Sequence, residues 1–106
     1  MTPHQRRMRE LEAMRGLIAD LKAMWEGTSV GTVPAGDVAA AFEQHASSLP
    51  VESKLLEQWN RLAVMLRKGP ARTRAEGIRQ IARKLQLQAD DFAQVVEARD
   101  AKLRGK

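Results

Sequence analysis

Apolar residues recur every three or four positions along most of the chain, which is the spacing of one face of an α-helix. In residues 2–26 this spacing draws one long apolar stripe, and a threonine followed by a proline opens the segment as an N-cap and first helical residue. The pattern predicts a first helix over 2–26. Its stripe is long enough to bind another subunit, and the candidate protein-interface residues are Leu11, Met14, Ile18, Leu21 and Trp25.

The middle of the chain is predicted to hold a loop and two further helices. Two glycines and a proline interrupt the apolar spacing in residues 27–34, and we expect a flexible loop there. A short second helix is predicted over 35–46. A third is predicted over 51–68, where the apolar stripe is clearest and where Gly69 and Pro70 end the pattern.

The last third of the chain is predicted to form a fourth helix that ends near residue 87 and a C-terminal helix over 89–103. Thr73 and Glu76 have the spacing of a capping box at the start of the fourth helix. We expect no strand, because the sequence has no run of alternating β-branched and polar residues and no Asn-Gly or Asp-Gly turn. The sequence therefore predicts an all-α fold, a bundle of four to five helices in a single domain over 1–106.

Composition excludes several kinds of chemistry. The 106 residues contain no cysteine, which excludes disulfides and thiolate sites, and the two histidines are far apart in sequence. No stretch has the roughly 20 apolar residues that a membrane span needs. We therefore expect a cytoplasmic, non-enzymatic protein with no catalytic residue, no cofactor, no metal site, no membrane partner and no small-molecule substrate.

Charge is the most informative feature of the sequence. The chain carries a net charge of +5, and residues 54–84 hold nine basic residues against only Glu57 and Glu76. This segment falls in a predicted basic helix-loop-helix over 51–87. Arginines outnumber lysines there two to one, and a guanidinium holds phosphate through two parallel hydrogen bonds. The candidate nucleic-acid-binding residues are Lys54, Arg61, Arg67, Lys68, Arg72, Arg74, Arg79, Arg83 and Lys84.

Residues 79–96 resemble the helix-turn-helix family in the spacing of their apolar positions. The residues that carry this spacing are Ala82, Leu85, Leu87, Phe92 and Val95. The resemblance implies a DNA-binding regulator that reads bases with its second helix. The sequence departs from the family at Gln86, where glycine is usual, and at Asp90 and Asp91, whose carboxylates would face phosphates in the second helix.

In length, helical content and one-sided basicity, the whole chain is similar to the small helical subunits of CRISPR effector complexes. That resemblance implies a nucleic-acid-backbone-binding subunit of a larger nucleoprotein complex, which would contact RNA or DNA through 54–84 and other subunits, or itself, through the first helix. Two alternatives stay open. One is the helix-turn-helix regulator, and the other is a protein-binding adaptor or inhibitor of phage or plasmid type, whose basic face would bind an acidic protein.

Overall fold

The computed structural model describes residues 2–29 and 31–105, and these residues form a mostly helical fold, as predicted. The predicted first and second helices are confirmed, and Thr2 caps the first one. Its hydroxyl accepts a hydrogen bond from the Gln5 amide at 3.1 Å, and the Gln5 side chain accepts one from the Thr2 amide at 3.0 Å. In chain order the elements are α1 (Pro3–Glu26), β1 (Thr32–Pro34), α2 (Ala35–Ala46), α3 (Lys54–Lys68), β2 (Arg72–Arg74) and α4 (Ala75–Arg104).

α3 begins three residues later than the predicted boundary at 51, because Ser53 is its N-cap. The Ser53 hydroxyl accepts a hydrogen bond from the Leu55 amide at 3.2 Å. The same hydroxyl donates to the carboxylate of Glu10 in α1 at 2.7 Å, and both side chains are buried. The start of α3 is therefore tied to α1 by one buried hydrogen bond.

The prediction of no strand is wrong, because β1 and β2 pair antiparallel with Val33 opposite Thr73. The predicted loop over 27–34 is wrong at its C-terminal end, because Thr32–Pro34 form β1. Val30, within the same predicted loop, lies outside the described residues. Each strand has only three residues and pairs with a segment far away in sequence, so neither shows an alternating pattern. Gly31 precedes β1 with a φ of 70°, a left-handed conformation that glycine adopts without strain.

The two strands join two similar halves, each built as helix, strand, helix. The first amide of α2 donates to the Ala71 carbonyl at 3.0 Å, and the first amide of α4 donates to the Gly31 carbonyl at 2.9 Å, so the halves hold each other symmetrically. α1 packs along α4, and α2 packs along α3. In the core, the ring of Trp59 meets that of Phe42 edge to face at 6.2 Å between centroids.

The predicted break between a fourth and a fifth helix is wrong, because α4 is one helix of 30 residues. No glycine or proline occurs in the sequence between Ile78 and Arg104, so nothing stops the helix near residue 88. Gln86 donates a hydrogen bond to Asp90 at 2.9 Å, one turn further along the same helix. The turn that the helix-turn-helix interpretation requires is absent from this described segment, and its marker Leu87 is 61% exposed. No helix within 2–29 or 31–105 is both long and apolar enough to span a membrane.

Candidate nucleic-acid interface

The paired strands present two arginines to solvent. Thr73 lies opposite buried Val33, and successive side chains of a strand point to opposite faces. The residues on either side, Arg72 and Arg74, therefore point away from the core, and both are exposed. The sequence Arg-Thr-Arg places two guanidinium groups on one face of β2, with backbone positions about 7 Å apart.

α4 adds two arginines to this end of the molecule. It begins directly after Arg74, and its exposed residues Arg79 and Arg83 are one turn apart on the same flank. Arg83 lies about 13 Å along the helix axis from Arg74. Lys84 is also exposed but points about 100° away from Arg83 around the helix. We call the set Arg72, Arg74, Arg79 and Arg83 the hairpin-α4 surface, where hairpin stands for the antiparallel pair of β1 and β2, which α2 and α3 separate along the chain.

The predicted bases of α3 lie on a different part of the molecule. Lys54, Arg61 and Lys68 recur on the side of α3 that is opposite buried Trp59, so they face solvent. α3 packs along α2 and makes no extensive contact with α4. Lys68, at the end of α3, is four residues before Arg72 and therefore lies closest to the strands along the chain.

Lys54 is separated from the hairpin-α4 surface by the body of α4. It lines a pocket of about 350 Å³ together with Arg7 and Phe92. Phe92 is on the flank of α4 opposite Arg79 and Arg83. The nine candidate bases therefore do not all lie on one surface, because α3 packs along α2 and α4 packs along α1.

Ion pairs further divide the nine bases. Arg61 pairs with Glu57 at 2.7 Å within α3, and Arg67 pairs with Glu43 of α2. Within residues 2–29 and 31–105 the other seven make no ion pair, and these are Lys54, Lys68, Arg72, Arg74, Arg79, Arg83 and Lys84. Every arginine of the hairpin-α4 surface is therefore open to an external anion.

An open groove of about 660 Å³ runs between α1 and α4 beside Arg79 and Arg83. From α1 it is lined by Ile18, Lys22 and Trp25, and the indole of Trp25 is partly exposed. The other lining residues are Glu76, Gln80, Ala82, Gln86 and Leu87. The groove thus joins an aromatic face to the cations of the hairpin-α4 surface.

Sequence reasoning missed Lys22 because it lies in α1, outside the basic segment 54–84. Its signal is positional, since it follows Ile18 by four residues and precedes Trp25 by three, which puts all three on one flank of a helix. Lys22 therefore becomes a third cation beside Arg79 and Arg83.

The predicted protein-interface residues of the first helix are mostly inside the molecule. Leu11, Met14 and Leu21 are buried against the rest of the chain, so their assignment to an outer interface is wrong. The reason is that α1 is covered by both α2 and α4. Ile18 and Trp25 are partly exposed, and they face the groove instead.

The two histidines each bind one carboxylate. His45 of α2 contacts Asp20 of α1 at 2.5 Å between Nε2 and Oδ2, and His4 contacts Asp100 of α4 at 3.0 Å. Among the described residues, no three histidine, aspartate or glutamate side chains lie close enough together to hold a metal ion. These pairs link neighbouring helices.

Comparisons of the chain with protein-family models, curated proteins and solved structures found no match. Exposed guanidinium groups bind phosphate through paired hydrogen bonds, and a partly exposed indole stacks on flat apolar rings. The hairpin-α4 surface and its groove supply both kinds of contact side by side.

Proposed function

We propose that the chain is a non-enzymatic helical protein that binds the backbone of RNA or DNA through the hairpin-α4 surface. The observation that carries the proposal is the run of four exposed arginines from β2 into α4, none of which pairs with an acid among residues 2–29 and 31–105. Backbone phosphates are regularly spaced anions, and guanidinium groups bind them without reading sequence. A run of arginines along a strand and a helix suits such a ligand better than a single small anion.

The start of α4 strengthens the positive potential beside these arginines. Arg74 is the N-cap residue and makes no side-chain hydrogen bond to the first turn, so that turn has no side-chain cap. The helix dipole places a partial positive charge at this end, and phosphate is stabilised there. Glu76 in the first turn offsets part of this effect, which leaves the arginines as the main source of affinity.

We also propose that the chain works as a subunit of a larger nucleoprotein complex, as the similarity to small CRISPR subunits implies. Two exposed apolar side chains on α3 support this. Val64 and Met65 are 50% and 63% exposed on α3, which packs against α2 away from α4. A protein bound there would leave the hairpin-α4 surface open.

The same apolar residues favour a protein-binding adaptor as the second candidate function. The helix-turn-helix regulator is not proposed again, because α4 runs without a turn through the residues that would form it.

A salt titration tests the main proposal. Binding of fluorescently labelled 20-nucleotide RNA and DNA, single- and double-stranded, is followed by anisotropy from low to moderate salt. Four phosphate contacts predict that the logarithm of the affinity falls with the logarithm of salt concentration with a slope of about −3 to −4. A slope shallower than about −1, or no binding at low salt, would contradict the proposal. Tight binding of a protein partner under those same conditions would favour the adaptor.

A pair of charge-matched variants locates the surface. The triple variant Arg72→Glu, Arg74→Glu, Arg79→Glu should abolish binding, whereas Arg99→Glu, Lys102→Glu, Arg104→Glu lowers the net charge equally and should retain most of it. The control residues are exposed near the end of α4, about 30 Å from Arg79. Both variants should keep their helical circular dichroism, because exposed charges contribute little to folding. Equal loss in the two variants would mean that net charge, and not this surface, controls binding.

A further inference from the structure

The groove between α1 and α4 is lined by a tryptophan that the fold leaves partly exposed. The two tryptophans of the chain differ in this respect. Trp59 is 2% exposed and sealed by Phe42, whereas Trp25 is partly exposed at the groove wall. Trp25 packs against the core with part of its side chain, and the rest is open to solvent at the groove wall. On the α4 side the groove is lined by the small side chain of Ala82.

The charges around the groove select a negatively charged occupant. Lys22, Arg79 and Arg83 line it, and Glu76 is the acid among its lining residues. Ile18 and Leu87 add apolar surface, and Leu87 is 61% exposed. An occupant that complements this groove has a flat apolar ring to lie against the indole and negative charge to meet the three cations. A nucleotide has both features.

We infer that the groove holds a single-stranded segment of nucleic acid with one base stacked on Trp25 and its phosphates on Lys22, Arg79 and Arg83. This inference rests on the proposed function and adds the class of ligand. In a duplex the faces of each base are covered by neighbouring base pairs, so an indole reaches a base face where the strand is unpaired. Arg72 and Arg74 precede the groove along the chain and extend the phosphate contacts beyond it.

Tryptophan fluorescence of the unmodified protein tests the inference directly. Because Trp59 is buried, acrylamide quenches mainly Trp25, and the quenchable fraction reports its exposure. The probes are oligo(dT) and oligo(U) of 12 nucleotides, a 12-base-pair duplex, and heparin, which is a polyanion without bases. We expect the two single strands to quench the fluorescence and to protect the remaining emission from acrylamide. The duplex and heparin should change neither the tryptophan fluorescence nor its quenching by acrylamide.

Two variants at one position separate stacking from packing. Trp25→Leu removes the aromatic face and should weaken single-strand binding by at least about fivefold, the lower limit for loss of one base-aromatic stack. Trp25→Phe keeps a smaller ring and should recover part of that loss. Both are compared at equal helical content by circular dichroism. Heparin binding is the control and should be unchanged in both variants.

The outcomes distinguish the inference from the function on which it rests. If all four probes bind and Trp25 does not respond, the single-strand inference is overturned and backbone binding stands. If the protein prefers the duplex and its fluorescence does not change, the single-strand inference is likewise overturned and backbone binding stands. If none of the probes binds at low salt, the proposed function itself fails. The acrylamide measurement needs no variant, so poor folding of Trp25→Leu does not prevent a decision.

Discussion

Replacing Gly16 by alanine should destabilise the protein, although the same change in most helices does the opposite. Gly16 lies inside α1, where alanine is favoured over glycine by about 1 kcal/mol. Here an added Cβ would stand 2.8 Å from Cε1 and 3.0 Å from Nδ1 of His45. Both distances are well inside van der Waals contact, so the imidazole or the helices must move.

Either movement costs more free energy than alanine gains over glycine in helix propensity. The ring of His45 is held by the 2.5 Å contact between its Nε2 and Asp20, and rotation would lose this hydrogen bond, which contributes about 1 to 3 kcal/mol. Separating α1 from α2 instead costs about 1 to 3 kcal/mol of packing. After subtraction of the propensity gain, Gly16→Ala should lower the free energy of unfolding by about 1 kcal/mol. The corresponding fall in Tm is about 4 to 8 °C.

Thermal and urea unfolding, followed by circular dichroism, provide the assay, and a double-mutant cycle isolates the contact. In a His45→Ala background the clash is gone, so Gly16→Ala should stabilise by about 1 kcal/mol, a coupling of about 2 kcal/mol between the positions. Gly77→Ala is the matched control, since nothing lies within 4 Å of its added Cβ, and it should be neutral or stabilising. If Gly16→Ala stabilised both backgrounds equally, the packing of His45 on α1 described above would be incorrect.

Two further substitutions examine the start of α3 and the continuity of α4. Ser53→Ala removes both the cap of α3 and the partner of buried Glu10, and we expect it to lower the free energy of unfolding in urea by about 2 to 4 kcal/mol. The control Ser53→Thr should retain most of the stability. A loss under about 0.5 kcal/mol in Ser53→Ala would argue against the buried hydrogen bond. Gln86→Gly should cost about 1 kcal/mol in thermal unfolding because residue 86 is inside a helix. A gain in stability would instead indicate the turn of a helix-turn-helix.

Some helix boundaries were predictable from local start and stop signals. The capping box predicted from Thr73 and Glu76 is wrong, because Thr73 lies in β2 and the N-cap of α4 is Arg74, which makes no side-chain hydrogen bond. Thr2 and Gln5 form the capping box that their spacing predicts, and Gly69 follows the last residue of α3 as expected. A side chain that caps a helix lies within a few residues of the amide that it binds, so the signal is contained in the sequence. α2 also lies at its predicted bounds, although no side chain caps its start.

The strands and the position of α3 relative to α4 depend on distant partners, and the sequence alone did not reveal them. Val33 pairs with Thr73 across forty residues, and three-residue strands carry no period of their own. Val95, one of the apolar positions of the helix-turn-helix spacing, is 55% exposed on α4, so its spacing does not indicate burial.

The charged residues of the candidate site could be predicted from the sequence, but their arrangement in space could not. Arg72, Arg74, Arg79 and Arg83 were all identified from charge, and all four are exposed. Lys22 was missed, since α4 brings it into the site by packing along α1. Lys54 was wrongly joined to the site because sequence proximity does not show which helix α3 packs against.

The near-symmetry of the two halves indicates that the arginines are not needed to build the fold. Thr32 and Pro34 are the first and last residues of β1, as Arg72 and Arg74 are of β2, and a helix follows each strand directly. Uncharged side chains therefore occupy the equivalent positions of the first half. Arg72 and Arg74 make no ion pair with any residue in 2–29 or 31–105, so we expect their replacement to remove binding without loss of structure.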